Sequence, residues 1–247
     1  MAERSAPGFE KYTVTPRAFA LQMRWLARAG YSAIGLDAVL THRAHATELP
    51  RRPVVLTFDD GFRSCVERVV PVLQTYGFTA MFYLVAGLMG QTSRWLQATH
   101  GFELPLIDWP TARRLTDAGF HCGAHSMTHP HLPKLAPASC RYELAESRRL
   151  AEQEVGQEVV HLAYPFGSYD AAVRQMAAEA GFRSACSVKL GRSPPDDDPL
   201  ALRRIPVTGT DTLLDFVCRL RTAQSLRGLV YRKARGAWRR IRAHAVR

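Results

Sequence analysis

Two short stretches of the chain carry side chains that can do chemistry together. In Thr57-Phe58-Asp59-Asp60-Gly61, an apolar run beginning at Val54 ends in two adjacent carboxylates and a glycine. Two acids at a strand end are costly unless something cationic meets them. Neighbouring side chains leave an extended backbone on opposite sides, so one carboxylate can hold a metal while the other faces a reacting water. By itself the pattern reads better as a solvated Asp-Asp-Gly turn. The second stretch, Gly123 to Leu132, holds His125 and His129, four residues apart, a spacing at which two imidazoles can grip one cation. Pro130 prevents a long regular helix there, so the segment is expected to be a strand end passing into a short turn. His-x-x-x-His is weak evidence alone; beside a double aspartate it marks a candidate metal site.

These residues resemble the motifs of the polysaccharide deacetylase family (carbohydrate esterase family four, the NodB homology domain). Thr57-Phe58-Asp59-Asp60-Gly61 is similar to its first motif and His125-Ser126-Met127-Thr128-His129 to its second. The resemblance implies that Asp59 is the general base and that Asp60, His125 and His129 hold a divalent metal, Zn2+ before others. Leu162-Ala163-Tyr164-Pro165-Phe166-Gly167 resembles the third motif, which implies that Tyr164 and Pro165 line the substrate and that the Phe166 backbone N–H receives the oxyanion. Two features depart from the family pattern. Ala163 stands where the motif has an arginine, and the last motif, Leu-x-Leu-His, with its acid histidine, is not found. Arg204, slightly preferred over Arg203, is expected to supply the missing guanidinium from another strand. His131 is the candidate acid, although a surface histidine is its plainer reading, and Asp59 once protonated is the alternative. Tyr164, Trp95 and Trp109 are candidate sugar-stacking rings, with core packing equally good for each.

The elements that must position these groups alternate. Pro16 to Ala29 reads as a helix capped by Thr15; Ser64 to Tyr76, Pro110 to Ala118, Ala138 to Val155 and Asp170 to Ala180 are further helices. Val54 to Phe58 reads as a fully buried strand, and Thr79 to Val85, Phe120 to Ala124, Val159 to Tyr164 and Arg183 to Val188 as others. Such alternation with short connections implies a parallel sheet closed or nearly closed into a barrel, whose ligands project from strand C-terminal ends on one face. The resemblance narrows this to α/β architecture of the family type: a distorted (β/α) barrel with fewer than eight regular units and a basic C-terminal helix. The domain reading is an extension over residues 1–14, a barrel over 15–215, and a basic tail over 216–247.

The 247 residues carry a net charge of +11, and ten of those charges come from residues 216–247, which hold no acid. Leu226, Val230, Ala234, Trp238 and Ile241 recur in that tail at helical spacing, as in a basic amphipathic helix suited to peripheral membrane contact. A solvated or packed terminal helix, or nonspecific nucleic-acid attraction, explains the same charge; no specific nucleic-acid motif occurs. Five unpaired-looking cysteines and a polar start suit a reducing, cytoplasmic setting, at most peripheral to the inner membrane surface. The expected function is metal-dependent hydrolysis of an N-acetyl or small acyl group from an amino sugar, in a glycan or lipid-linked saccharide. Two alternatives stand beside it: hydrolysis of another C–N bond, such as a formamide or cyclic amide, and, given the missing arginine and acid histidine, a catalytically silent barrel that binds saccharide or a glycan-assembly partner.

Overall fold

The computed structural model of the protein describes residues 8–224. Helix α1 (Pro16–Arg28) starts where the Thr15 hydroxyl accepts the Ala18 N–H, and Pro16 occupies a first-turn position that needs no donor. Its Phe19, Met23 and Leu26 bury one stripe against Val66, Val69 and Leu73 of α3 (Arg63–Thr75). Burial of each such side chain contributes roughly 1.5–3 kcal/mol. Between these helices run β1 (Ser32–Ala33), α2 (Leu36–His45), β2 (Pro53–Val54) and β3 (Thr57–Phe58).

The remaining strands are β4 (Met81–Leu84), β5 (His121–Ala124), β6 (His161–Ala163), β7 (Ser184–Leu190) and β8 (Leu202–Arg204). Helices α4 (Arg94–His100) and α5 (Trp109–Asp117) precede β5; α6 (Pro137–Val155), α7 (Ala171–Glu179) and α8 (Leu213–Thr222) follow in order. Strands β3 to β8 form one parallel sheet in chain order, and β1 pairs with β2 separately. The sheet curls into a half-barrel, and its alternation sorts side chains between two layers. Phe82 and Leu84 face the helices, whereas Met81 and Tyr83 join Ala163, Cys186, Leu202 and Leu36 inside the curl. Every residue of β4 is buried, as befits a strand covered on both faces. The distorted (β/α) barrel with fewer than eight regular units is thus the architecture present.

Two expectations change. Val54 to Phe58 is not one buried strand: pairing with β1 stops at Val54 and pairing with β4 begins at Thr57, and the residues between are half-buried. The Leu56 carbonyl already accepts the Met81 N–H, so the chain changes partners across a single dipeptide. Helix α8 crosses position 215, and its Phe216 is buried edge-on against Trp25 of α1, so the packed unit runs past the boundary set from charge. The proposed amphipathic repeat over 226–241 lies outside the described residues. Among the described residues, no helix is long and apolar enough to cross a membrane. All five cysteines are free.

Candidate active site

Strands β3 and β5 deliver the central groups from their C-terminal ends. Asp60 Oδ1 lies 3.3 Å from His125 Nε2 and 3.2 Å from His129 Nε2. The three donor atoms lie within 4.8 Å of one another, the one such group of metal-competent side chains among the described residues. Asp59 and Asp60 do diverge, but not as neighbours on an extended strand, because Asp60 has a left-handed backbone with φ 74°. Ser126 and His129 are also left-handed, each with φ 63°, so the histidine segment is a tight turn rather than a helical one. Side-chain alternation and residue spacing cannot reveal such backbone reversals.

The chemistry of the donors fits a divalent cation. His125 Nδ1 sits 2.6 Å from the carbonyl oxygen of Ala163 on β6. A carbonyl only accepts, so Nδ1 carries the proton and Nε2 of the neutral ring aims a lone pair at the Asp60 carboxylate. Two acceptors held at 3.3 Å need a positive charge between them. A proton serves badly, because one carboxylate is shared by two buried imidazoles. With a proton in the ion's place, burial lowers the His125 pKa and a hydrogen bond to Asp60 raises it, for a net rise, whereas in His129 burial wins and the pKa falls, so the two rings do not hold protons equally. Asp60, which burial pushes up, is held well below the usual carboxylate range when protons on the two rings stand in for the ion and hydrogen-bond to it.

Asp59 points elsewhere. Arg204 Nη1 and Nη2 donate to its two oxygens at 2.7 Å and 2.8 Å, a planar bidentate pair. Arg204 Nε donates to the Ser187 carbonyl at 3.0 Å, which fixes the guanidinium from behind. Burial raises the Asp59 pKa, but the charge and hydrogen bonds of Arg204 outweigh it, and the group stays ionised below its ordinary 3.8. Arg203, the other candidate, turns to Asp197 at 3.2 Å and is not at the site.

An aromatic wall closes one side. Trp95 stacks on His129 at 4.4 Å, Phe166 meets the same ring edge-on at 4.5 Å, and His131 lies flat on Phe166 at 4.0 Å. Phe166 is left-handed at φ 57° and 41% exposed, with its ring between His129 and His131 at the mouth of the site. Gly167 follows at φ 64°, where any Cβ would sit 2.6 Å from the Val188 nitrogen.

Three substrate-lining expectations are corrected or relocated. Tyr164 is fully buried, stacks on Tyr169 at 4.8 Å and donates to the Leu200 carbonyl at 2.9 Å, so neither face can receive a sugar. Pro165 is buried as well. Trp109 packs half-buried against the main core at the start of α5. What the residues did not signal is that Ala163, read only as a missing arginine, holds His125 through its backbone.

A sheet whose strand ends present an Asp-His-His cluster beside an arginine-bound carboxylate defines a family. The polysaccharide deacetylase family model matches residues 46–185, more than half of the chain, and the chain belongs to that family. Among curated relatives, YxkH of Bacillus subtilis (strain 168) is 22% identical over 195 residues, covering 79% of this chain and 66% of YxkH. The poly-beta-1,6-N-acetyl-D-glucosamine N-deacetylase of Staphylococcus aureus (strain MRSA252) is 20% identical over 213 residues, covering 83% of this chain and 71% of that protein. Among solved structures, the deacetylase PplD of Streptococcus pyogenes in complex with acetate shares the fold at TM-score 0.74 and 20% identity, over 84% of this chain and 87% of PplD. IcaB from Ammonifex degensii shares it at TM-score 0.73 and 22% identity, over 90% and 93%. This chain therefore spans about two thirds of the first of these relatives and most of the others.

Proposed function

We propose that the protein is a metal-dependent N-deacetylase that hydrolyses the acetamide of an acetylated amino sugar in a glycan or a lipid-linked saccharide. The observation that carries this reading is the unliganded Asp59, held by Arg204, directly beside the Asp60–His125–His129 donor set. Family membership and the activity named for the Staphylococcus aureus relative support the acetylated glucosamine class. Asp60 Oδ1, His125 Nε2 and His129 Nε2 would hold the ion, and a carboxylate with two imidazoles suits Zn2+. When bound, such an ion polarises the acyl oxygen and makes its water more acidic.

The chain's own residues do the rest. Asp59 accepts the proton of the attacking water, and Arg204 keeps it ionised and aimed. The Phe166 backbone N–H, in the position that the third motif gives it, meets the oxygen on which negative charge develops. Asp59 then returns its proton to the departing amine as the C–N bond breaks; His131, stacked at the rim on Phe166, is the second candidate donor. Trp95 and Phe166 shield the His129 ring from water.

A catalytically silent barrel rests on two absences, the motif arginine and the acid histidine; Arg204 on Asp59 stands in for the first, and the proton returned by Asp59 is the proposed answer to the second. Acetate release from N-acetylglucosamine oligomers, with metal added and removed, tests the proposal against formamide or cyclic-amide hydrolysis. Peripheral contact with the cytoplasmic membrane face through the tail is a separate proposal resting on its charge and on the helical spacing of its apolar residues; liposome flotation of intact and tail-less protein tests it.

A further inference from the structure

His125 and His129 are held in place by different means. The His125 ring is fixed by its own hydrogen bond to the Ala163 carbonyl. His129 has no such anchor: its Nδ1 is buried without a hydrogen-bond partner among the described residues. The placement of its Nε2 must therefore come from the shape of the Ser126–His129 turn and from the rings stacked on it. That turn is strained, since Ser126 and His129 are both non-glycine residues in the left-handed region, at about 1–2 kcal/mol each.

One side chain gathers the turn. Glu143, on the inner face of α6 and only 8% exposed, accepts three hydrogen bonds from it. Its Oε2 takes the backbone N–H of Met127 at 2.8 Å and of Thr128 at 2.9 Å, and its Oε1 takes the Thr128 hydroxyl at 2.6 Å. From the opposite side, the N–H groups of Ala86 and Gly87 donate to the carbonyls of Ser126 and Met127 at 3.0 Å and 2.9 Å. Gly87 permits that approach, because a Cβ there would lie 2.7 Å from the Met127 oxygen. Inside the turn, the Ser126 hydroxyl accepts the His129 N–H at 3.0 Å.

The geometry points to Glu143 as a positioning residue that sets the affinity of the donor cluster for its metal by imposing the backbone of the His129 turn. It does for His129, through two backbone N–H groups and the Thr128 hydroxyl, what the Ala163 carbonyl does for His125 through one bond. The inference rests on the metal-binding reading above, and extends it to a helix that contributes no ligand.

The test measures Zn2+ affinity by competition with a chromophoric chelator, together with the visible spectrum of Co2+-loaded protein and the thermal transition of the metal-free form. Glu143→Ala is expected to weaken Zn2+ binding about 10–100-fold and to alter the Co2+ spectrum. Glu143→Gln is expected to stay near wild type, because its oxygen can accept both amides and its NH2 can donate to the Thr128 hydroxyl. Folded Glu143→Ala protein that binds Zn2+ as tightly as wild type, losing only thermal stability, overturns the inference; so does an equal loss in Ala and Gln variants. Should the Ala variant not fold, Thr128→Val removes one of the three bonds, and unchanged Zn2+ affinity there overturns it while a several-fold loss supports it. A wild type that binds no Zn2+ overturns the metal reading and this inference together, whereas the variant outcomes bear on Glu143 alone.

Discussion

The guanidinium of Arg204 lies 2.7 Å and 2.8 Å from the two oxygens of Asp59, joining the last strand of the sheet to the turn after the first. The two residues are 145 positions apart, and only a curled sheet brings them together. The pair both orients a carboxylate and keeps it charged.

Replacing Arg204 by Met is therefore expected to lower kcat/KM by about 10²-fold, the scale of a misplaced general base. Burial raises the Asp59 pKa and Arg204 lowers it, so losing the cation moves the acid limb of the pH–rate profile upward. The sign for stability follows from the same depressed pKa. The wild type's advantage is complete above the ordinary value of 3.8 and fades as pH falls through the folded one. Arg203→Met, which breaks a pair with Asp197 away from the site, leaves the profile where it is. Matching profiles for the two variants would contradict the assignment.

Asp59→Asn separates the base from the ligands. It is expected to cut kcat by about 10²–10⁴-fold, since an amide cannot take the water's proton. Zn2+ binding should persist, because Asp59 is not among the three clustered donors. Lost metal in this variant would place Asp59 in the coordination set.

Much of this site was legible in the chain because its parts are local. Asp59-Asp60 and His125 to His129 are short segments whose residue types announce charge and coordination, and the glycines between helices mark each β/α unit. Arg204 was narrowed to one of two adjacent arginines, and the choice depended on which side of β8 faces the curl. For Tyr164 the core-packing alternative holds and the substrate-lining one does not, a choice residue type cannot make because it does not say which layer a ring enters; the hydroxyl donates to the Leu200 carbonyl in the core. Glu143 gave no signal at all, being one acid among several on α6, with Glu146, Glu152 and Glu154 on the same helix. Nor could Val54 to Phe58 show that its pairing changes partners midway.

Chelation should destabilise the protein and added Zn2+ restore it. At a free concentration 100-fold above Kd, binding contributes about 2.7 kcal/mol, which is a Tm rise of roughly 5–10 °C for a chain of this size. Asp60→Asn and His125→Ala are expected to abolish the Zn2+-dependent rise, while Asp59→Asn retains it. Differential scanning fluorimetry across the variants reads the difference.

Gly167 carries the turn that presents Phe166. Gly167→Ala places a methyl in a left-handed residue and against the Val188 backbone at 2.6 Å, which cannot yield as a flexible side chain would. A loss of about 2–4 kcal/mol in unfolding free energy is expected from strain plus overpacking. Denaturant titration measures it, and a variant as stable as wild type would show that the turn is not as tight as drawn.

The most direct measurement is acetate release from an N-acetylglucosamine oligomer while metal-free protein is titrated with Zn2+. If one ion sits on Asp60, His125 and His129 beside a free Asp59, release rises in proportion to added Zn2+. It then levels off at about one equivalent per chain. No acetate at any loading, or equal release from the metal-free protein, would contradict a metal-dependent deacetylase.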